Sequence, residues 1–154
     1  MSPLARTLLV AGLDAVATIG FATMTGALFG RGFCLRRLLT VREARMVRLS
    51  DSLFWMGAAL MVAPQLASRA IGAKTATGPV LWIQIVAVVL LLALEAWPSR
   101  VFRSWDRYLD LDQLPYHTDR NNDRLLLSWR AQLVLLAVLA VIDPLLAATI
   151  FARS

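Results

Sequence analysis

Residues 86–94 read VAVVLLLAL, an unbroken apolar run. A helix with one face in water places a polar residue every three or four positions, and this stretch has none. Outward from it the run extends from Pro79 to Phe102 as PVLWIQIVAVVLLLALEAWPSRVF. At ~1.5 Å per helical residue that is long enough to cross ~30 Å of hydrocarbon. The solvent of this segment is lipid.

Composition extends the conclusion to the whole chain. Its 154 residues are 58% hydrophobic and 17% charged, with a mean hydropathy of +0.64. Soluble domains average about 45–50% apolar and about 25% charged residues. Three further runs have the same character: TLLVAGLDAVATIGFATMTGALFG at 7–30, SLFWMGAALMVAPQLASRAIG at 52–72, and 125–151. An open strand in lipid would leave backbone groups without partners, so each run is a helix. The first is too long for a signal peptide and carries Asp14 inside it, which makes it a retained helix. The expected fold is all-α: one integral membrane four-helix bundle with helices near 7–30, 52–72, 79–102 and 125–151.

Arginine distribution sets the expected orientation. The 31–51 loop holds Arg31, Arg36, Arg37, Arg42, Arg45 and Arg48. The 103–124 loop and its flanks hold Arg100, Arg103, Arg107, Arg120 and Arg124, against Arg6, Arg69, Lys74 and Arg153 on the other side. By the positive-inside rule both loops are cytoplasmic and both termini periplasmic, in a bacterial inner membrane. The net charge of +6 is then a topology signal joined to attraction for anionic phospholipids, with nucleic acid not expected as a partner. The six arginines of 31–51 are the expected contact with anionic lipid or an acidic partner.

Local signals place the boundaries. Ser50 and Asp51 can cap helix two, and Asn121, Asn122 and Asp123 helix four. Pro79 suits a first turn, whereas Pro64 and Pro144 fall inside helices and should kink or open them. Trp55, Trp97, Trp105 and Trp129 fall near the cytoplasmic interface and Trp82 near the other, as belt residues do. Residues 102–117 alternate aromatic or leucine with charge, the pattern of an interfacial helix, with Asp106, Asp110 and Asp112 on a solvated face.

Polar residues inside the runs fall into two layers. Asp14 and Asp143 lie roughly 10–12 Å below the periplasmic ends of their helices, with Gln65, Arg69 and Gln84 at similar depth. Nearer the cytoplasm, Glu95 and Arg130 share a level and are expected to pair. Gln132 lies on the face of Asp143, and Thr25 on that of Asp14. Such layers either fix helix register by interhelical hydrogen bonds or mark a proton, ion or ligand route. Ala22, Gly26 and Gly30 form a small-residue face that admits a close neighbour, in this chain or another.

Other chemistry is limited. The single Cys34 and single His117 cannot assemble a zinc site, and no histidine lies within a run to ligate haem. No catalytic residues, metal site or resident cofactor are expected, although a bound lipid or quinone fits the composition.

Three stretches carry a resemblance: RMVRLSDSLFWMGAALMVAPQLASR, PVLWIQIVAVVLLLALEAWPSRVFRSW and LLSWRAQLVLLAVLAVIDPLLAATIFARS. With the small-residue first helix and the arginine-rich loop, the chain resembles a family of small predicted bacterial inner-membrane proteins of unknown function. The match rests most on Arg48 to Asp51 entering helix two and on the closing Pro144-Leu-Leu-Ala-Ala pattern. Such proteins often have an aromatic–histidine pair in helix one. This chain has Leu13-Asp14 there, so no haem or metal role follows from that position. The resemblance implies the fold and no activity. The expected function is that of a non-enzymatic accessory or scaffold subunit of a larger membrane complex, of respiratory or photosynthetic type, with other membrane subunits as partners. The alternatives are a small transporter or proton-conducting protein using the intramembrane carboxylates, and a quinone- or lipid-binding protein.

Overall fold

The computed structural model describes residues 2–35, 40–71, 79–115 and 119–151, with side chains outside that description at 3, 79–81, 119–120 and 143–151. Five helices follow in order: α1 (Pro3–Leu35), α2 (Val41–Ala70), α3 (Pro79–Ser104), the short α4 (Asp106–Asp110) and α5 (Asp119–Phe151). Four of them are long and apolar enough to cross a membrane: Leu4–Leu35, Val41–Ala70, Trp82–Asp110 and Asn121–Ile142.

α1, α2 and α5 begin before their apolar runs, and α1 and α3 end after theirs. Hydropathy stops where charges start, but a helix continues past lipid if its backbone is capped. At the start of α2 the Thr40 hydroxyl accepts from the Glu43 amide and the Glu43 carboxylate accepts from the Thr40 amide, a complete capping box. Ser50 and Asp51 therefore do not cap this helix; they lie within it. α5 likewise begins at Asp119, so Asn121, Asn122 and Asp123 are helical residues. α2 continues through Pro64 and α3 through Pro98.

Pro98 leaves the carbonyl of Leu94 without its helical donor. The Ser128 hydroxyl of α5 donates to that carbonyl at 3.1 Å. Next to it, the Trp129 indole N–H donates to the Leu28 carbonyl of α1 at 2.8 Å. Neighbouring residues of α5 thus bind two different helices.

α1 packs most closely on α2 and α3 on α5, and the α1–α5 and α2–α3 edges close a four-helix ring. Glycine makes the first pairing: a Cβ on Gly20 would meet the backbone of Met61 at 2.5 Å and Gly57 at 2.7 Å, and one on Gly57 would meet Gly20 and Met24 at 2.7 Å. Gly32 is in contact with the Trp129 ring. By contrast, a Cβ on Gly26 would have nothing within 4 Å. Ala22 and Gly26 are exposed on the outer side of α1, and Gly30 is exposed beside Ser50 of α2.

The core between the helices is apolar: Met24, Leu28, Phe54, Met61, Leu91 and Leu136 are all buried. A second apolar group, with Leu35, Val47, Phe102, Trp105 and Leu109, lies under α4. Leu109 is buried while Tyr108, Leu111 and Leu114 are exposed, in keeping with an interfacial helix. α4 ends with Gln113 N–H donating to Tyr108 C=O at 2.8 Å and Asp112 at φ 54°, a left-handed termination that aspartate tolerates.

Candidate functional site

The most concentrated polar chemistry is a buried ionic cluster near the α4 end. Arg31 is four residues from the end of α1, with 1% of its surface exposed. Its Nη1 donates to Glu95 Oε2 at 2.7 Å, and Nη2 lies 2.6 Å from Oε1 as a charge contact. Asp51 of α2 lies 4.0 Å from the same guanidinium. Phe54 and Phe102 place their rings 5.8 Å and 5.0 Å from Arg31 Cζ, a cation–π arrangement in a dry setting.

Hydroxyl, amide and indole groups complete it. Ser99 stands one turn after Glu95 on α3, donates to Asp51 Oδ1 and lies 3.4 Å from Glu95 Oε1. A serine hydroxyl has one proton, so it serves one carboxylate at a time. The Trp55 indole donates to the same Ser99 oxygen at 2.8 Å. Gln132 of α5 donates to Glu95 Oε2 at 2.6 Å. Each of the four membrane-length helices therefore contributes a side chain.

Toward α4 the cluster continues to the surface through Arg48. Arg48 pairs with Asp51 at 3.1 Å and with Asp106 of α4 at 2.8 Å. Asp106 is about half exposed, whereas Asp51 and Glu95 are sealed. Two guanidiniums thus balance two buried carboxylates, and the third carboxylate has solvent to share its charge. Arg31 Nε and Gln132 Oε1 are buried without a hydrogen-bond partner among the described residues.

Residues 10–153 match the family described as "Predicted membrane protein (DUF2214)". The chain belongs to this family. That match covers α2, α3, α4 and α5, α1 from residue 10 onward, and every member of the cluster. No curated protein and no solved structure matches the chain. The family description gives the protein a membrane setting and no activity.

In this family member the structure redraws the expected site. Glu95 pairs with Arg31 and not with Arg130, which is exposed on the outward face of α5. The reason is rotational: Glu95 and Gln132 face inward, and Arg130, two residues before Gln132, falls on the opposite side of its helix. Arg31 and Arg48 are not loop residues offered to lipid, because α1 and α2 extend past the apolar runs and carry them inside. Arg45 pairs with Asp112 at 2.8 Å on the surface, Arg42 is exposed, and Arg36 and Arg37 lie outside the described residues.

Of the other expected layer, Gln84 is the centre. Its amide donates to Gln65 Oε1 at 3.4 Å, and its Oε1 accepts from Arg69 Nη2 at 3.4 Å. Asp14 is half-buried on α1, and its own backbone carbonyl accepts from Thr18. The Asp143 side chain lies outside the described residues. Between this layer and the ionic cluster stand Ala58, Met61, Ala87, Leu91, Leu136 and Leu139. The layers are separate by roughly three helical turns of apolar packing, judged from Gln84 to Glu95 along α3.

Trp129 and Trp105 are buried and Trp55 is bonded to Ser99, so these three are core groups; Trp82 and Trp97 face outward as a belt requires. The sequence reading gives Asp51 only as a helix cap and passes over Ser99, Phe54 and Phe102. Two local signals for them exist: Glu95-x-x-x-Ser99 and Arg48-x-x-Asp51 each place two polar groups on one helix face. Among the described residues no three His, Cys, Asp or Glu side chains are grouped to hold a metal ion.

Proposed function

We propose that this chain is a non-enzymatic accessory or scaffold subunit of a larger complex in a bacterial inner membrane, with both termini on the periplasmic side. The observation that carries the reading is the closure of the ionic cluster. Arg31, Asp51, Glu95 and Gln132 are each at most 1% exposed, with the Arg31 guanidinium and the Gln132 amide N–H both directed at Glu95. Chemistry arranged this way fixes four helices in one register and offers nothing to a substrate. What the chain presents outward is apolar: Val86, Val89 and Leu90 on α3, Ile19 and Phe29 on α1, Val134 and Val141 on α5. The outward Ala22–Gly26 face would let a partner's helix approach α1 closely.

A proton or ion route would need polar groups in succession through the bilayer. The apolar packing between the Gln84 layer and the Glu95 cluster supports the scaffold reading over that alternative. The test is purification of the tagged chain from native membranes in mild detergent, with mass spectrometry of what remains bound. Larger membrane subunits in fixed ratio are the expected result; recovery of this chain alone would overturn the reading.

A further inference from the structure

We propose that the α4 end of the bundle carries a collar of arginines that binds anionic lipid headgroups, made by Arg42, Arg100, Arg103, Arg107, Arg124 and Arg130. The inference needs only the membrane setting and stands apart from the subunit reading above. It begins with a division among the arginines. Arg31 and Arg48 are engaged in the cluster and Arg45 with Asp112. The six collar arginines are exposed and make no ion pair among the described residues. At this end, only Asp110 and Asp123 oppose them as exposed carboxylates without an ion pair among the described residues; Asp106 and Asp112 are paired and Glu43 belongs to the α2 cap.

Their placement selects the partner. Arg42 is on α2, Arg100 and Arg103 on the last turns of α3, Arg107 on α4, and Arg124 and Arg130 on α5. A protein docking on one side would meet one or two of these helices. A bilayer surface surrounds them all, and cations spread over several helices fit it. Exposed Trp97, Tyr108, Leu111 and Leu114 are interleaved with them, the amphipathic company found at the headgroup boundary.

Arg130 gives the collar its depth. It lies between exposed Leu127 and Val134 on a lipid-facing stripe, roughly 16 Å along α5 from Asp119. A helical side chain leans toward its helix N-terminus, and the α5 N-terminus is at the collar end. The aliphatic stem of Arg130 therefore lies on apolar surface while its guanidinium reaches for a phosphate. A phosphate oxygen pair matches that planar donor fork.

The test uses the full chain in nanodiscs of equal phosphatidylglycerol and phosphatidylcholine, with native mass spectrometry of the lipids retained. Phosphatidylglycerol should be retained several-fold over phosphatidylcholine, and the preference should fall as salt rises. The combined change Arg100→Gln, Arg103→Gln, Arg107→Gln and Arg124→Gln should bring retention of the two lipids to within about twofold of each other, since each basic residue near an anionic surface contributes ~1 kcal/mol. Arg45→Gln with Asp112→Asn, which removes a surface pair already satisfied within the chain, should leave the preference within about twofold. Circular dichroism and the unfolding midpoint show that each variant is folded; if the combined variant is not, Arg107→Gln and Arg124→Gln are read singly. Equal retention of the two lipids would overturn the proposal. So would an undiminished preference in the folded variants, including the case where they lose an acidic protein instead.

Discussion

Arg31 of α1 and Glu95 of α3, 64 positions apart, form a buried two-point contact at 2.6 and 2.7 Å. α1 and α3 are diagonal in the ring, so this pair spans its centre and touches Asp51 of α2 and Gln132 of α5 on the way. Losing one partner of a buried pair leaves the other charge desolvated, at a cost of about 3–5 kcal/mol. Arg31→Met should therefore destabilise the bundle by that order in denaturant titration. Arg130→Gln, altering an exposed side chain outside the pair, should stay within about 0.5 kcal/mol. Equal effects of the two changes would refute the assignment.

The α1–α2 crossing gives a second expectation. Gly57→Ala places a methyl against the α1 backbone and should cost about 1–3 kcal/mol by overpacking. Gly26→Ala enters open space and should leave the isolated chain's midpoint unchanged or raise it slightly, since Ala favours a helix over Gly by about 0.5–1 kcal/mol. If Gly26→Ala nonetheless releases co-purifying subunits, the outward face is where they dock.

Ser128 and Pro98 should be coupled. Ser128→Ala removes the donor to the Leu94 carbonyl and is expected to cost roughly 0.6–2 kcal/mol. In a Pro98→Ala background, residue 98 regains its own N–H for that carbonyl, so the same change should cost less. Additive effects in this cycle would mean the hydroxyl acts elsewhere.

How much of this was legible in one dimension follows from the physics of each feature. The four spans and their order are properties of local hydropathy, and the sequence shows them. So is the Gln65–Arg69–Gln84 grouping, which depth along two helices predicts. The helix ends are less visible, because the capping box at Thr40-x-x-Glu43 lies outside the apolar run that announces the helix. That displacement turns Arg31, Arg48 and Asp51 from apparent loop or cap residues into interior ones. The partner of Glu95 is a question of rotation and of which helices are diagonal. Depth alone cannot separate Arg130 from Arg31, and only the packed ring does.

α4 should respond to its two surface pairs unequally. Arg48 joins Asp106 to the buried Asp51, whereas Arg45 and Asp112 are mostly in water. Arg48→Gln should raise amide hydrogen exchange across 106–110 severalfold, and Arg45→Gln should change it little, since exposed pairs contribute about 0–1 kcal/mol. Matching responses would show that α4 is held by its apolar face alone.

The most direct test of the central claim, that the enclosed ionic cluster serves to hold the helices, is a double-mutant cycle on Arg31→Met and Glu95→Gln in detergent-unfolding measurements. Each single change should destabilise strongly. The double variant leaves Asp51 with Arg48 and should recover most of the loss, with a coupling of about 2 kcal/mol or more. Additive losses, or single variants as stable as the parent, would contradict the account and return Arg31, Asp51 and Glu95 to consideration as a site for something other than the fold.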